Sequence, residues 1–111
     1  MVGVNIYIAG PMTGVEDFNY PLFNKTAETL RSQGFTVFNP AETESENTDY
    51  PYQQAPWDWY LRRAIRKLTH CDLIVLLPGY ENSKGASLEL SIALSLGIGQ
   101  TTLEEFLGVE Q

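Results

Sequence analysis

Asp72-Leu73-Ile74-Val75-Leu76-Leu77 is the stretch whose reading decides the fold. An unbroken apolar run with β-branched Ile74 and Val75 at its centre, ahead of Pro78-Gly79, reads as a short strand covered on both faces, as in a parallel sheet. Such a strand requires helices above and below it, and the flanking segments supply them. On the amino side, roughly Trp57 to Thr69 places Trp57, Leu61, Ile65 and Leu68 on one helical face. On the carboxyl side, the polar loop Pro78 to Ala86 leads into a helix from Ser87 to Leu96, ended by Gly97.

The same alternation recurs farther out. Val4 to Ala9 is a β-rich run ending in Gly10-Pro11, and the loop Gly10 to Glu16 feeds a helix. Pro21 suits that helix's first turn, Phe23, Ala27 and Leu30 recur at helical spacing, and Gly34 stops it. Phe35 to Phe38 forms a second strand, stopped by Asn39-Pro40. Ala41 to Pro56 carries Glu42, Glu44, Glu46 and Asp49 without any period, so it reads as a long acidic loop, either a binding lid or a surface excursion. Beyond Gly97, Ile98 to Thr101 reads as a strand stub, and Thr102 to Glu105 as a capping box opening a short helix. Strand, loop and helix alternate three times, which predicts one α/β domain over residues 1–111. Its expected architecture is a three-layer, flavodoxin- or Rossmann-like parallel sheet flanked by helices, with ligands beyond the carboxyl ends of the strands.

A chain of 111 residues is long enough for one core. Its formal charge of −7 repels polyanions, which argues against a nucleic-acid polymer as partner. A single nucleotide is another matter, because backbone amides and hydroxyls hold one phosphate without net positive charge. The lone Cys71 suits a reducing compartment, the start Met1-Val2-Gly3-Val4-Asn5 lacks a secretory pattern, and no apolar run approaches the roughly 20 residues of a membrane span. The expected location is therefore the cytoplasm, with no membrane partner. His70-Cys71 has no companion ligands at useful spacing, and neither a P-loop nor a dinucleotide fingerprint occurs, so no metal or cofactor is expected. Arg62, Arg63, Arg66 and Lys67 cluster on the second helix, either as a phosphate or subunit contact or as a solvated face.

Glu89 is the first candidate for chemistry. It is read in the opening turn of the third helix, where free amides and the helix dipole favour an ionised carboxylate suited to nucleophilic attack, or where it simply complements the dipole. Around it, Tyr7-Ile8-Ala9-Gly10 ends the first strand and Cys71-Asp72 begins the later one. The stretch Ser83-Lys84-Gly85-Ala86-Ser87-Leu88-Glu89 then runs on through Ala93 to Gly97. Together these resemble the nucleoside 2-deoxyribosyltransferase-like family, which includes the 2'-deoxynucleoside 5'-phosphate N-hydrolases and small phage and bacterial proteins grouped with them. The likeness covers about Val4 to Ile98.

That resemblance implies that Glu89 attacks the anomeric carbon of a deoxynucleoside and expels the base, through an oxocarbenium-like transition state of the kind retaining glycosidases use. It implies that Ser83, Gly85 and Ser87 help to hold a 5'-phosphate, that Gly10 and its loop approach the nucleotide, and that Tyr7 contacts the sugar or the nucleophile. Read without it, the glycines are tight turns, the serines caps and Tyr7 core packing. The family's further catalytic aspartate has no counterpart in Arg62-Arg63-Ala64. Asp58, earlier on the same helix, either projects into the site or is a favourable first-turn carboxylate. Asp72 is read as a structural hydrogen-bonding residue. Pro11 and Thr13 stand where the phosphohydrolase branch has serine and arginine, and the chain is short after Gly97, so a homo-oligomer is expected to complete sheet and site. Three readings follow. The first is an N-glycosidase or deoxyribosyltransferase acting on a small 2'-deoxynucleoside or its monophosphate. The second is a non-catalytic nucleotide-binding module, and the third a partner-binding protein using Trp57, Trp59 and Tyr60.

Overall fold

The apolar run that opens the sequence reading becomes β3 (Leu73–Leu76), inside a four-stranded sheet of order β2-β1-β3-β4 with every neighbouring pair parallel. Its partners are β1 (Asn5–Ala9) and β4 (Gly99–Thr102), with β2 (Thr36–Phe38) beyond β1. The computed structural model describes residues 3–108. Helices α1 (Tyr20–Ser32), α2 (Trp57–Leu68) and α3 (Lys84–Ser95) connect the strands, and α4 (Leu103–Leu107) follows β4.

Side-chain parity along the two inner strands divides the core into two faces. Ile6, Ile8, Val75 and Leu77 pack with Phe23, Ala27 and Leu30 of α1, and Leu103 and Phe106 of α4 lie against the same cluster. Tyr7, Ala9, Ile74 and Leu76 point the other way, onto Leu68 of α2 and Ala86 and Ala93 of α3. Alternate residues of one strand therefore serve opposite layers, which is why the sequence there shows no polar gaps. Burying each large aliphatic side chain contributes about 1.5–3 kcal/mol, and this double coverage is the main stabilising term.

The three-layer α/β architecture expected from the sequence is the one observed. Two local expectations are corrected. The acidic stretch is not loop throughout: Pro40–Glu46 is a 3-10 helix, started by Pro40 and by Asn39, whose side chain accepts from the Ala41 amide at 3.0 Å. Helix α3 begins at Lys84 rather than Ser87, because Ser83 has extended backbone and its hydroxyl accepts from the Ala86 amide at 3.1 Å. The expected strand stub is a full partner of β3, and Thr102 at its end makes the reciprocal capping box with Glu105.

The order β2-β1-β3-β4 makes the chain leave β1 toward one side and return through β3 on the other. The loops after β1 and β3 thus part company at the carboxyl edge, leaving a crevice, the usual ligand position in open α/β sheets.

Candidate active site

A cavity of about 350 Å³ opens at that crevice. Gly10, Met12 and Thr13 after β1, Pro40 and Thr43 after β2, and Ser83, Gly85, Ala86 and Glu89 after β3 all line it. Aromatic rings supply much of the remaining wall, from Phe18, Tyr20, Phe23, Trp57 and Tyr60, together with Gln53. This is the volume and make-up of a small-molecule site, largely apolar with a few convergent polar groups.

Glu89 is the one charged side chain among the described residues that line the cavity, and it is 9% exposed. The earlier start of α3 puts it in the second turn, beyond the reach of most of the dipole effect expected from the sequence. Burial instead governs its titration. Desolvation pushes the carboxyl up to about 7, opposed by a hydrogen bond that Tyr7 donates from its hydroxyl to Oε2 at 2.8 Å. The expectation of a carboxylate held ionised by the helix end is therefore corrected: one favourable bond partly offsets a large burial effect.

Tyr7 is fully buried behind Glu89 and is not among the cavity-lining residues. Desolvation, and then the adjoining Glu89, hold its phenol well above the ordinary range, so it is a permanent donor. Strand parity explains its place, because Tyr7 of β1 faces the α3 side of the sheet. Gly10 lines the cavity and has a second reason to be glycine: a Cβ there would lie 2.7 Å from Cβ of Leu77. Ser83 and Gly85 line the cavity too, with the Ser83 hydroxyl committed to capping α3.

Besides Tyr7, two further expected site residues are not brought to the cavity wall. Asp58 lies on the open face of α2, its side chain 71% exposed and 4.0 Å from Arg62, the first-turn position foreseen as its alternative. Ser87 is exposed, one helical turn past the cap, with its hydroxyl directed at the Tyr80 carbonyl at 3.5 Å. Asp72 behaves as expected, accepting from the Asn5 amide at 2.9 Å. Cys71 packs at the helix end, its thiol pushed up to about 12 by burial and by neighbouring Asp72.

The basic cluster on α2 serves the acidic segment. Arg63 pairs with Glu46 at 3.5 Å and stacks on Trp59 at 3.8 Å from the ring centre, while Lys67 also binds Glu46. Glu44 accepts from Tyr60 at 2.6 Å, from the Asn47 side chain at 2.7 Å and from the Gln53 amide at 2.9 Å. Sequence reasoning missed Gln53, Phe18 and Tyr20 as lining residues. Phe18 is carried there by three consecutive left-handed residues, Asp17, Phe18 and Asn19, with φ of 54°, 53° and 61°. Its loop is tied down by a bond of 2.9 Å from the Asn19 side chain to the Pro11 carbonyl. Asp17 and Asn19 tolerate this conformation, whereas Phe18 does so at a cost of about 1–2 kcal/mol, which local propensity does not announce.

Solved structures share this fold. A 2-deoxyribosyltransferase from the psychrotolerant bacterium Bacillus psychrosaccharolyticus superposes with a TM-score of 0.70 at 21% identity, covering 89% of this chain and 71% of that one. A 2-desoxiribosyltransferase from Leishmania mexicana gives a TM-score of 0.68 at 21% identity, over 97% of this chain and 73% of that one. The fold is that of these enzymes, as the sequence resemblance implied. No curated protein sequence matches the chain. The family model described as "Domain of unknown function (DUF4406)" matches residues 4–101, nearly the whole fold, and the chain belongs to that family.

Proposed function

We propose that the cavity takes a 2'-deoxynucleoside or its monophosphate and that Glu89 cleaves the N-glycosidic bond. In this reading a Glu89 oxygen forms a bond to the anomeric carbon as the carbon–nitrogen bond breaks. The electron pair leaves with the base, which takes a proton from solvent at the cavity mouth. Water then releases the deoxyribose, or a second base accepts it. The observation that carries the reading is a buried carboxylate, held by Tyr7 and turned into an aromatic-walled cavity at the crevice between β1 and β3. Aromatic walls suit a heterocycle, and an oxocarbenium-like centre is stabilised by the one negative charge in a low-dielectric site. Fold likeness to two 2-deoxyribosyltransferases supports the same class of reaction.

The test is incubation with each deoxynucleoside and each monophosphate, with and without a second free base, scored for released or exchanged base by chromatography. The expected result is turnover that Glu89→Ala abolishes; absence of both release and exchange with every substrate overturns the reading.

One observation favours a second reading, a nucleotide-binding module without turnover. Ala64 lines the cavity, in the stretch where the resembling enzymes carry an aspartate. In that case calorimetry detects deoxynucleoside binding of equal strength in the wild type and in Glu89→Ala, with no base released.

A further inference from the structure

A second concavity, open to solvent and of about 550 Å³, is formed by the connection between β2 and α2 together with the start of α1. Among the described residues, Tyr20 is the one lining side chain that it shares with the cavity holding Glu89. The rest of its wall comes chiefly from Glu44, Ser45, Asn47, Tyr50 and Tyr52. Asn47 fastens these parts together. Its side chain accepts from the Tyr50 amide at 3.0 Å and donates to Glu44 at 2.7 Å and to the Pro51 carbonyl at 3.3 Å. The Gln54 amide then closes a turn onto the Pro51 carbonyl at 2.9 Å, with Tyr52 inside it. The backbone carrying both tyrosines is thus tied to Glu44, while Tyr50 and Tyr52 remain 42% and 71% exposed.

The polar side chains of this wall are largely engaged within the protein. Ser45 donates to the Glu42 carbonyl at 2.7 Å, and Asn47 uses both ends of its carboxamide. Glu44 accepts from the Tyr60 hydroxyl, the Asn47 side chain and the Gln53 backbone amide, which fills three of the about four acceptor sites of a carboxylate. All three donors are neutral. Neighbouring Glu42 is paired with Arg31, and Glu46 with Arg63 and Lys67, whereas Glu44 has no cationic partner among the described residues. Apart from the phenol hydroxyls, the side chains therefore offer a ligand three aromatic rings and one uncompensated negative charge. That combination attracts a cation through the ring faces. It favours a cation without N–H groups, because an ammonium would give up hydrogen bonds to water that this wall does not replace.

We propose that this concavity binds a small quaternary ammonium ion of the choline class through Tyr20, Tyr50 and Tyr52, with Glu44 as its counter-ion. The site is independent of what the first cavity binds and of any chemistry at Glu89. Although partial desolvation acts the other way, the Gln53 amide, Tyr60 and Asn47 hold the Glu44 carboxyl below its ordinary value, so the counter-ion stays charged near neutrality. Exposed Asp49 adjoins Tyr50 in the chain, and the whole protein carries −7. An anionic group on the ligand would meet repulsion, so the fitting ligand is a free cationic solute rather than a zwitterion or a phospholipid headgroup.

Calorimetric titration at low ionic strength, with sodium chloride as the blank, tests this on the whole chain. Tetramethylammonium and choline are compared with methylammonium, with the zwitterion betaine and with 3,3-dimethylbutan-1-ol, the uncharged carbon isostere of choline. Expected is saturable binding of the first two and about tenfold weaker binding of the other three, the order that two or three cation–π contacts supply at a partly exposed site. Tyr50→Leu combined with Tyr52→Leu weakens tetramethylammonium about tenfold, whereas Tyr50→Phe with Tyr52→Phe retains it, because the rings remain. Both side chains are exposed, so the melting temperature holds in each pair. Glu44→Gln lowers the affinity as well; if that change loosens the segment, the ratio of choline to its isostere in the wild type reads the same charge. The proposal is overturned by no saturable binding of tetramethylammonium, or by any of the three comparison compounds binding as tightly as choline. It is equally overturned by an unchanged affinity in the leucine pair or by loss of binding in the phenylalanine pair.

Discussion

Glu89 is protonated about half the time near neutrality, because burial pushes its carboxyl up to about 7. A nucleophile has to be ionised, so the proposed reaction gains rate as pH rises through about 7 and levels off above it. Tyr7 lowers that value by donating to Oε2, and Tyr7→Phe removes the only opposing influence on the burial effect. In that variant the limb of the kcat/KM profile moves to higher pH, with the plateau reached later; a limb that stays in place shows that the hydrogen bond does not set the nucleophile. The same shift predicts a stability effect. A carboxyl whose folded value lies above its unfolded value of 4.5 binds its proton more tightly when folded. Between about pH 4.5 and 7 the folded chain holds more protons than the unfolded one, so stability falls as pH rises through that window and is level above it. The full loss is about 3 kcal/mol. Glu89→Gln keeps an acceptor for Tyr7 and carries no charge, so urea unfolding at pH 8 should find it more stable than the wild type by up to that amount. At pH 4 the two should nearly coincide. Equal stabilities at pH 8 would mean that the carboxylate is well solvated.

At the scale of elements, legibility followed burial. The run Leu73 to Leu77 identified its strand because both faces are covered, α1 followed from apolar spacing with Pro21 and Gly34 at its ends, and α2 from apolar spacing alone. The start of α3 was misplaced by three residues because Ser83 and Ser87 are equally good caps on paper; only the bond from the Ala86 amide to Ser83 selects between them. That small shift moves Glu89 from a dipole-dominated first turn to a burial-dominated second turn. The aromatic wall was illegible for a different reason. Phe18 and Gln53 come from separate connections and Trp57 from the first turn of α2, and the positive φ at Phe18 and Gln53 goes with the bonds from Asn19 to Pro11 and from Gln53 to Glu44, which apolar spacing does not announce. Gly10 was read as a turn or ligand approach, whereas its clearest demand is steric. Its missing Cβ admits Leu77 where β1 and β3 diverge, so Gly10→Ala forces a Cβ to within 2.7 Å of the Leu77 Cβ. Neither atom is the free end of a flexible side chain, so strand separation has to increase. The expected loss is about 1–3 kcal/mol in denaturant unfolding, with a matching fall in activity from a widened crevice. Gly85→Ala is the control, because a Cβ there meets nothing within 4 Å; a Gly10→Ala protein as stable as Gly85→Ala would refute the steric account.

Taken whole, the molecule has one helix whose composition does not match its surroundings. Helix α3 buries Ala86, Glu89 and Ala93 against the sheet, yet Leu88, Leu94 and, just after the helix, Leu96 are 37%, 50% and 54% exposed. Ser87, Ser91 and Ser95 form the polar outer stripe of this helix, and the leucines are exposed apolar side chains flanking it. Beside it, β4 is the last strand of the sheet and leaves one edge without a strand partner among the described residues. The net charge of −7 opposes close approach of two copies, so association has to be driven by this local apolar surface rather than by electrostatics. The expectation of a homo-oligomer therefore becomes specific: sedimentation velocity should give more than the monomer mass, and added salt should strengthen association by screening the like charges. Leu94→Glu combined with Leu96→Glu should return the protein to monomer with little change in melting temperature at low protein concentration, since neither side chain is part of the core. A monomeric wild type at high concentration and high salt would defeat the argument. A double variant that unfolds would place these leucines in the stability of the single chain instead.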